Sequence, residues 1–339
     1  MQIASPVRVD RALPACVPGT RAAWHVRSYE STDAPVWDAF ARRARNGVFL
    51  FERAYMGYHA DRFDDASLML WRGDELRALL PAHRNGGAWV SHGGLTFGGL
   101  VLHPGSGAHE VLELFERLCD ALRERGATRL DYKLLPHIFH TQPSEDDLYA
   151  LHRLGARTQR IDLCTSIDLA RRPPLAKGRR HALAKARRAG VEASRSTELA
   201  PFWALLTNTL AAQHGVAPTH RLEEMRLLAG RFVQIELHVA RRGDELLAGV
   251  LSYDYGGVLH TQYMAASPEG RETGALDAVI THLIDNAEGQ KRWFSFGAST
   301  VDGGRELNAG LAAQKEMFGG RSTLLQTLVL DLNTTQELA

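Results

Sequence analysis

The sequence predicts an α/β protein built from two tandem modules, each a mixed twisted sheet flanked by helices. Three observations carry this. Two strand pairs turn on the same four letters, Arg-Gly-Asp-Glu, at Arg72 to Glu75 and again at Arg242 to Glu245. In both halves a further strand then precedes an amphipathic helix, so the repeat is one of architecture. Between them, Arg171-Arg172-Pro173-Pro174 interrupts any helix or strand and marks the best boundary. The expected modules are residues 22–170 and 171–333.

With 339 residues, 45% hydrophobic and 23% charged, the chain can bury a sizeable core, and modules of roughly 150 residues are ordinary. Forty basic against thirty-nine acidic side chains give a net charge of +1, so no global field of the nucleic-acid-binding kind exists and a charged partner must meet a local patch. The three cysteines, Cys16, Cys119 and Cys164, are far apart and lack metal-ligand spacing, which predicts neither a disulfide framework nor a zinc site and fits a reducing, cytoplasmic location. No run approaches the roughly 18 apolar residues of a membrane span, and residues 1–21 read as a poorly ordered lead-in without a secretory signal.

In the first half, Trp24 to Glu30 alternates as a strand, and Asp33-Ala34-Pro35 opens a helix to about Arg45. The stretch from Asn46 to Asp65 is too polar for plain core; Tyr58, His59 and Asp61 are read either as satisfied polar side chains or as the lining of a pocket. Ser67 to Trp71 and Leu76 to Pro81 are strands, a second hairpin turns at Asn85-Gly86-Gly87, and Ser91-His92-Gly93-Gly94 begins a Gly-rich turn whose backbone can approach a ligand closely. Ala108 to Arg125 carries Val111, Leu114, Phe115, Leu118 and Leu122 at helical spacing and closes at Gly126. Arg129 to Leu135 is a strand. His137 and His140 form a His-x-x-His pair without a third ligand at metal-site spacing, which points to groove lining or backbone bonding and no metal. A helix capped by Ser144 and a strand from Arg160 to Leu169 complete the half.

The second half opens with a basic helix, Leu175 to Ala189, bearing Lys177, Arg179, Arg180, Lys185, Arg187 and Arg188; it is either a solvated face or a phosphate-binding one. Helices at Pro201 to Gln213 and Leu222 to Ala229 follow, then strands at Val233 to Arg241, Leu246 to Tyr255 and Val258 to Ala265, and a helix at Ala275 to Asn286. The run Phe294 to Thr300 reads as a buried strand, Val301 to Gly304 as a Gly-rich turn, and Arg305 to Phe318 as a helix with Leu307, Leu311 and Phe318 on one stripe. Lys315 lies at the margin of that stripe. It is either a cation favoured by the helix macrodipole or a ligand for phosphate or a developing oxyanion.

The closing segment "NAGLAAQKEMFGG", from Asn308 to Gly320, resembles that of the FemA/FemB/FemX-like transferases, tandem members of the GCN5-related acetyltransferase (GNAT) fold. In that family an aromatic-Lys pair precedes Phe-Gly; here Lys315 takes the lysine position and Gln314 replaces the aromatic. Gly93-Gly94 stands where the relatives often have Gly-Pro, and Arg180, Lys185-Ala186 and Gly190-Val191 match their helix and strand at the module junction. Single-domain acetyltransferases hold the coenzyme A pyrophosphate with Gln/Arg-x-x-Gly-x-Gly/Ala, of which Arg271 to Leu276 fits the first half through Arg271 and Gly274. Tyr263 falls where the relatives have a "YGAS"-like strand end.

The resemblance implies an acyltransferase that moves an acyl group, from acetyl-CoA or another acyl-CoA, onto an amine of a polar, sugar- or amino-acid-containing acceptor. Direct attack by a neutral amine needs no metal and no covalent nucleophile, in keeping with the lack of a G-x-S-x-G elbow. The expected roles are phosphate or oxyanion binding for Lys315, proton delivery for Tyr263, acceptor contacts for Tyr58, His59, Asp61, Ser91 and His92, and donor contacts for Arg271, Gly274 and Arg180. Two rivals stand beside it: an aminoacyl-tRNA-dependent FemAB-like transferase, with tRNA as partner, and a non-catalytic binding module that has lost the donor loop.

Overall fold

The computed structural model describes residues 22–334. The lead-in at residues 1–21, with Cys16, lies outside the described residues.

The first half begins with β1 (Trp24–Ser28) and α1 (Ala34–Arg43), whose Pro35 sits in the first turn and whose Trp37, Phe40 and Ala41, spaced to share one face, are buried. Next come β2 (Leu68–Arg72) and β3 (Glu75–Leu80), the Arg72-to-Glu75 hairpin of the sequence reading, closed by Gly73 at φ +57°. A second hairpin joins β4 (His83–Asn85) to β5 (Ala88–Val90). The helix α2 (Ala108–Glu124) buries Val111, Leu114, Phe115, Leu118 and Leu122, each worth roughly 1.5–3 kcal/mol of apolar burial, and ends at Gly126 in the left-handed region. It leads to β6 (Arg129–Lys133), α3 (Asp146–Arg153) and the long β7 (Arg157–Asp168). Ser144 does not cap α3: the cap position is Glu145, and the buried Ser144 hydroxyl has no partner.

The second half runs through α4 (Lys177–Arg188), β8 (Glu192–Ser196), α5 (Leu199–His214), α6 (Leu222–Arg231), β9 (Ile235–Arg242), β10 (Glu245–Asp254) and β11 (Val258–Ala266). Then come α7 (Pro268–Thr273), α8 (Ala275–Ala287), β12 (Trp293–Ala298), α9 (Ala309–Glu316) and β13 (Arg321–Asp331). The closing helix is shorter than its hydrophobic stripe suggests. Asn308 caps it by accepting from Leu311 N–H at 3.0 Å, and Leu307, expected on the buried stripe, pairs with Thr300 in a two-residue ladder and is exposed.

Each half contains a parallel strand pair spanned by a helix: β5 beside β6 with α2 between them in sequence, and β11 beside β12 with α7 and α8. The remaining pairings are antiparallel. One eleven-stranded sheet runs β8-β9-β10-β11-β12-β7-β13-β6-β5-β4 and ends on the short strand Asp64–Asp65. The order exchanges strands between the halves. β7, of the first half, pairs with β12, and the C-terminal β13 lies between β7 and β6. A separate sheet joins β1, β2, β3 and Val101–Leu102. One apolar cluster fills each half, and a third, with Trp37, Phe49 and Tyr55 from one side and Phe202, Phe232 and Tyr253 from the other, fills the seam between them. The fold is a tandem of two GNAT-like modules.

Candidate active site

The site forms where two neighbouring parallel strands part. β11 and β12 pair through Val258, Leu259 and His260 opposite Trp293, Phe294 and Ser295, and no further. Both are bulged at that point. On β11 the register to β10 steps from Thr261 to Tyr263, leaving Gln262 as the extra residue; on β12 the register to β7 steps from Ser295 to Gly297, leaving Phe296 as the extra one. Bulges bend a strand and increase its twist, so a pair of them at one level drives the strands apart. Gly297, at φ +70°, takes up the turn without a Cβ clash. The facing edges beyond are free of strand-to-strand ladder bonds, and the carbonyls of Gly297, Ala298 and Ala266 there accept from side chains instead.

Two cavities, each of about 290 Å³, open on this parting and share Phe296 as a wall. The first lies among Met264, Ala265 and Ala266 of β11, Arg271 of α7, Leu276 and Ile280 of α8, and Leu311, Gln314 and Lys315 of α9. The second lies toward the first half, among Phe97, Ile138 and Phe139 on one side and His260, Gln262, Ser295 and Cys164 on the other.

Lys315 lines the first cavity and bonds two residues, Gly297 and Ala298, that line the second. Its Nζ donates to Gly297 O (3.1 Å), Ala298 O (2.5 Å) and Ser299 Oγ (2.8 Å), so the bulge and the lysine hold each other. The side chain is buried, and desolvation draws its pKa down to about 8. Burial pushes the Cys164 thiol up to about 11, and burial beside Lys315 draws His260 down to about 4. His260 Nδ1 lies 3.1 Å from Ser295 Oγ. Near neutral pH the second cavity therefore holds an un-ionised thiol and a neutral imidazole.

The segment expected to hold a coenzyme pyrophosphate is folded into α7. Ser267 caps it, its Oγ accepting from Gly270 N–H (2.9 Å) and its carbonyl from Arg271 N–H (2.9 Å), while Gly274 N–H returns to Gly270 O. Gly274, at φ +80°, is packed under α4, and Asp277 in the first turn of α8 is held by Arg179 at 2.5 Å. The amides of Gly270, Arg271 and Gly274 are thus already served by the chain itself, whereas the N-terminus of α8 has no side-chain cap. Arg271 does border the first cavity, its Nη1 donating to Ala266 O at 2.9 Å. Arg180 is exposed and donates to Leu175 O, away from the cavity lining.

The expected acceptor residues divide. His59 and His92 come together, ring centroids 5.2 Å apart, with Phe63 and His83 against them. Tyr58 stacks on His220 at 5.3 Å, and His220 Nδ1 is 2.7 Å from Tyr263 Oη. Burial draws His59 and His220 down to about 4 and His92 to about 3. Lys133, drawn down to about 8 by the same cause, donates to His92 O (3.2 Å) and Leu95 O (2.7 Å). Ser91 is fully buried with Oγ accepting from Lys133 N–H at 2.7 Å, so it supports the turn; Asp61 is exposed, its carboxylate 4.0 Å from Arg62 Nε. Tyr263 faces His220 and Trp203 and is not among the residues lining either cavity. His140 bonds Leu135 O at 3.0 Å, and no metal-binding group of His, Cys, Asp or Glu exists among the described residues.

His260, Gln262, Cys164, Ser299, Lys133 and His220 were not singled out from sequence. Only Gly297, inside an otherwise apolar strand, signalled a bulge there.

The family model for the acetyltransferase (GNAT) domain matches residues 171–304. No curated protein sequence matches the chain. Among solved structures, FemX superposes with a TM-score of 0.65 at 13% identity over 91% of this chain and 98% of its own. L-PGS from Bacillus licheniformis gives 0.58 at 16% identity over 89% and 93%. A tandem GNAT protein from the clavulanic acid biosynthesis pathway gives 0.51 at 12% identity over 93% and 100%. At these identities the likeness is one of fold. It bears out the tandem GNAT, FemX-like architecture expected from the sequence. No described helix is long and apolar enough to cross a membrane.

Proposed function

We propose, from a tandem GNAT fold of the FemX kind, that this chain is a transferase that passes an aminoacyl group from tRNA to an amine acceptor at the parting of β11 and β12. The observation that carries the reading is Lys315 in the lining of the first cavity, held by the carbonyls of Gly297 and Ala298, which line the second, at the very bulge that separates the strands. The acyl carbonyl enters the parting, and the acceptor amine attacks its carbon. A C–N bond forms, the ester C–O bond breaks, the amine gives up a proton, and the ribose oxygen leaves with one. The oxyanion that develops meets Lys315 Nζ, which exchanges its Ser299 contact for it.

The donor choice rests on α7, where the amides of Gly270, Arg271 and Gly274 are bonded within the segment, and on Gly274, which is covered by α4. That favours a donor held along a surface over one held by a pyrophosphate cradle. On α4, Lys177, Arg180, Lys185, Arg187 and Arg188 are exposed, and Arg179 lies over Phe318 at the wall of the first cavity. A row of exposed cations on one helix suits a polyphosphate backbone. The match of the GNAT model across residues 171–304 supports a second reading, with an acyl-CoA donor.

A thermal-shift comparison with bulk tRNA, coenzyme A and acetyl-coenzyme A tests the choice, since a ligand at 100 times its Kd adds about 2.7 kcal/mol. Stabilisation by tRNA, falling with salt, and loss of the aminoacyl charge in the presence of an amine acceptor are expected. Stabilisation by the coenzyme alone transfers the proposal to the thioester. Silence from all three replaces the enzyme with a binding module.

A further inference from the structure

The second cavity is chemically unlike the first. Arg271 and Lys315 line the first, whereas the second has no Asp, Glu, Lys or Arg among its described lining residues. Its wall toward the first half is Phe97, Ile138 and Phe139, and Leu325 of β13 and Phe296 close the other side. Several polar groups there are already bonded, His260 with Ser295, Thr261 Oγ1 with Ser295 O at 3.4 Å, and Thr323 with Ser166 at 3.1 Å, and Thr96, Gln262 and Cys164 complete its uncharged polar lining. Lys315 reaches this wall through the carbonyls of Gly297 and Ala298, which surround its charge. At about 290 Å³ the space is near the lower end of ligand pockets, and an acetyl group would leave most of it empty.

We infer that the second cavity is a specificity chamber for an uncharged aromatic or branched apolar group, and that it excludes ammonium and carboxylate side chains. A buried charge without a partner costs far more than the apolar contacts return, while a phenyl or branched aliphatic group gains them in full. The inference rests on the transfer reading only for its source. The group is either the side chain of the acyl unit, whose carbonyl lies at Lys315, or an apolar flank of the acceptor.

Three neutral-backbone probes separate the chemistry: the N-acetyl amides of phenylalanine, lysine and glutamate. Binding is read by thermal shift and by the rate at which N-ethylmaleimide modifies Cys164, followed by mass spectrometry of its own peptide. The phenylalanine amide is expected to bind at least about tenfold more tightly than either charged one and to slow Cys164 modification at least about tenfold. A Leu325→Trp variant, which fills the chamber, is expected to lose that protection; Phe139→Ala, which enlarges it, tests the same wall should Leu325→Trp not fold. Equal binding of the lysine or glutamate amide, or Cys164 modification indifferent to the phenylalanine amide, overturns the inference. In a transfer assay the phenylalanine amide competing with donor assigns the chamber to the acyl side chain, and competing with acceptor assigns it to the acceptor. If protection is seen but no donor is consumed, the chamber stands and the transfer reading falls. If lysyl and phenylalanyl groups are transferred equally, the reverse holds.

Discussion

Gly274 lies against Ala182: a Cβ on Gly274 would come within 2.6 Å of the Ala182 carbonyl oxygen. This contact seats α4 on the start of α8, and the Arg179–Asp277 pair, with both side chains largely buried, locks it. Burial pushes the Asp277 carboxyl up while Arg179 pulls it down.

Gly274→Ala combines this clash with a positive φ and is expected to destabilise the protein by about 2 kcal/mol or more in urea unfolding. Asp277→Asn leaves Arg179 beside a neutral amide and is expected to cost about 2 kcal/mol, with a double-mutant cycle against Arg179→Met returning most of it as coupling. A near-zero coupling would mean that α4 is seated by packing alone.

His59 is almost wholly buried, and neither ring nitrogen has a hydrogen-bond partner. An unpaired buried polar atom costs about 1–3 kcal/mol, so His59→Met, flexible enough to lie against Gly94, is expected to raise stability by about 1 kcal/mol at pH 7. The pH dependence follows from the same burial. With folded pKa values of about 4, 3 and 4 for His59, His92 and His220 against an ordinary 6.5, the unfolded chain binds more protons between about pH 4 and 6.5. Stability therefore falls as pH drops through that window, and the fall is shallower in His59→Met. Unfolding midpoints at pH 7, 6, 5 and 4.5 measure both.

Local chemistry explains which parts were legible in the sequence. The hairpins at Gly73 and Gly243 and the helix α2 are set by adjacent turn residues and by a 3.6-residue stripe, and each formed where expected. β13 was not read as a strand, and its place between β7 and β6 depends on contacts more than 150 residues distant in sequence, as with Ser166 and Thr323. The candidate site was half legible. Lys315 was found because a lysine at the edge of an apolar stripe is conspicuous; His260 and Cys164 lie in alternating strands, where a polar residue reads as an outward one. Their convergence depends on the bulges at Gln262 and Phe296, which alternation alone conceals.

Tyr263 Oη bonds His220 Nδ1 at 2.7 Å and also engages Thr219 and Gln262, and the tyrosine itself lines neither cavity. Tyr263→Phe leaves the buried His220 Nδ1 without a partner and is expected to cost about 1–2 kcal/mol of stability while leaving kcat unchanged. A fall in kcat of tenfold or more, with the fold intact, would restore proton delivery to Tyr263.

If tRNA lies along α4, each phosphate contact contributes to the salt slope. Arg187→Ala/Arg188→Ala is expected to reduce the slope of log Kobs against log[salt] by about 1–2 and to weaken tRNA of every sequence alike. Filter binding between low and physiological salt gives the slope, and an unchanged value removes α4 from the donor path.

Lys315 offers the sharpest test because its charge and its packing can be separated. A folded pKa of about 8 against the usual 10.5 means that the unfolded chain binds more protons between those values. Stability from this group is therefore least below pH 8 and rises as pH climbs from about 8 to 10.5, a rise expected to vanish in Lys315→Met. Activity should move the opposite way. If the ammonium faces the oxyanion, kcat falls as pH rises through about 8 in the native protein, and Lys315→Met loses about 100-fold or more at pH 7. Lys315→Arg keeps its charge throughout that range, so whatever activity it retains should show no decline near pH 8. A rate that instead increases through pH 8 in the native protein, and is lost in both variants, would make the neutral amine of Lys315 the base that takes the proton from the attacking acceptor.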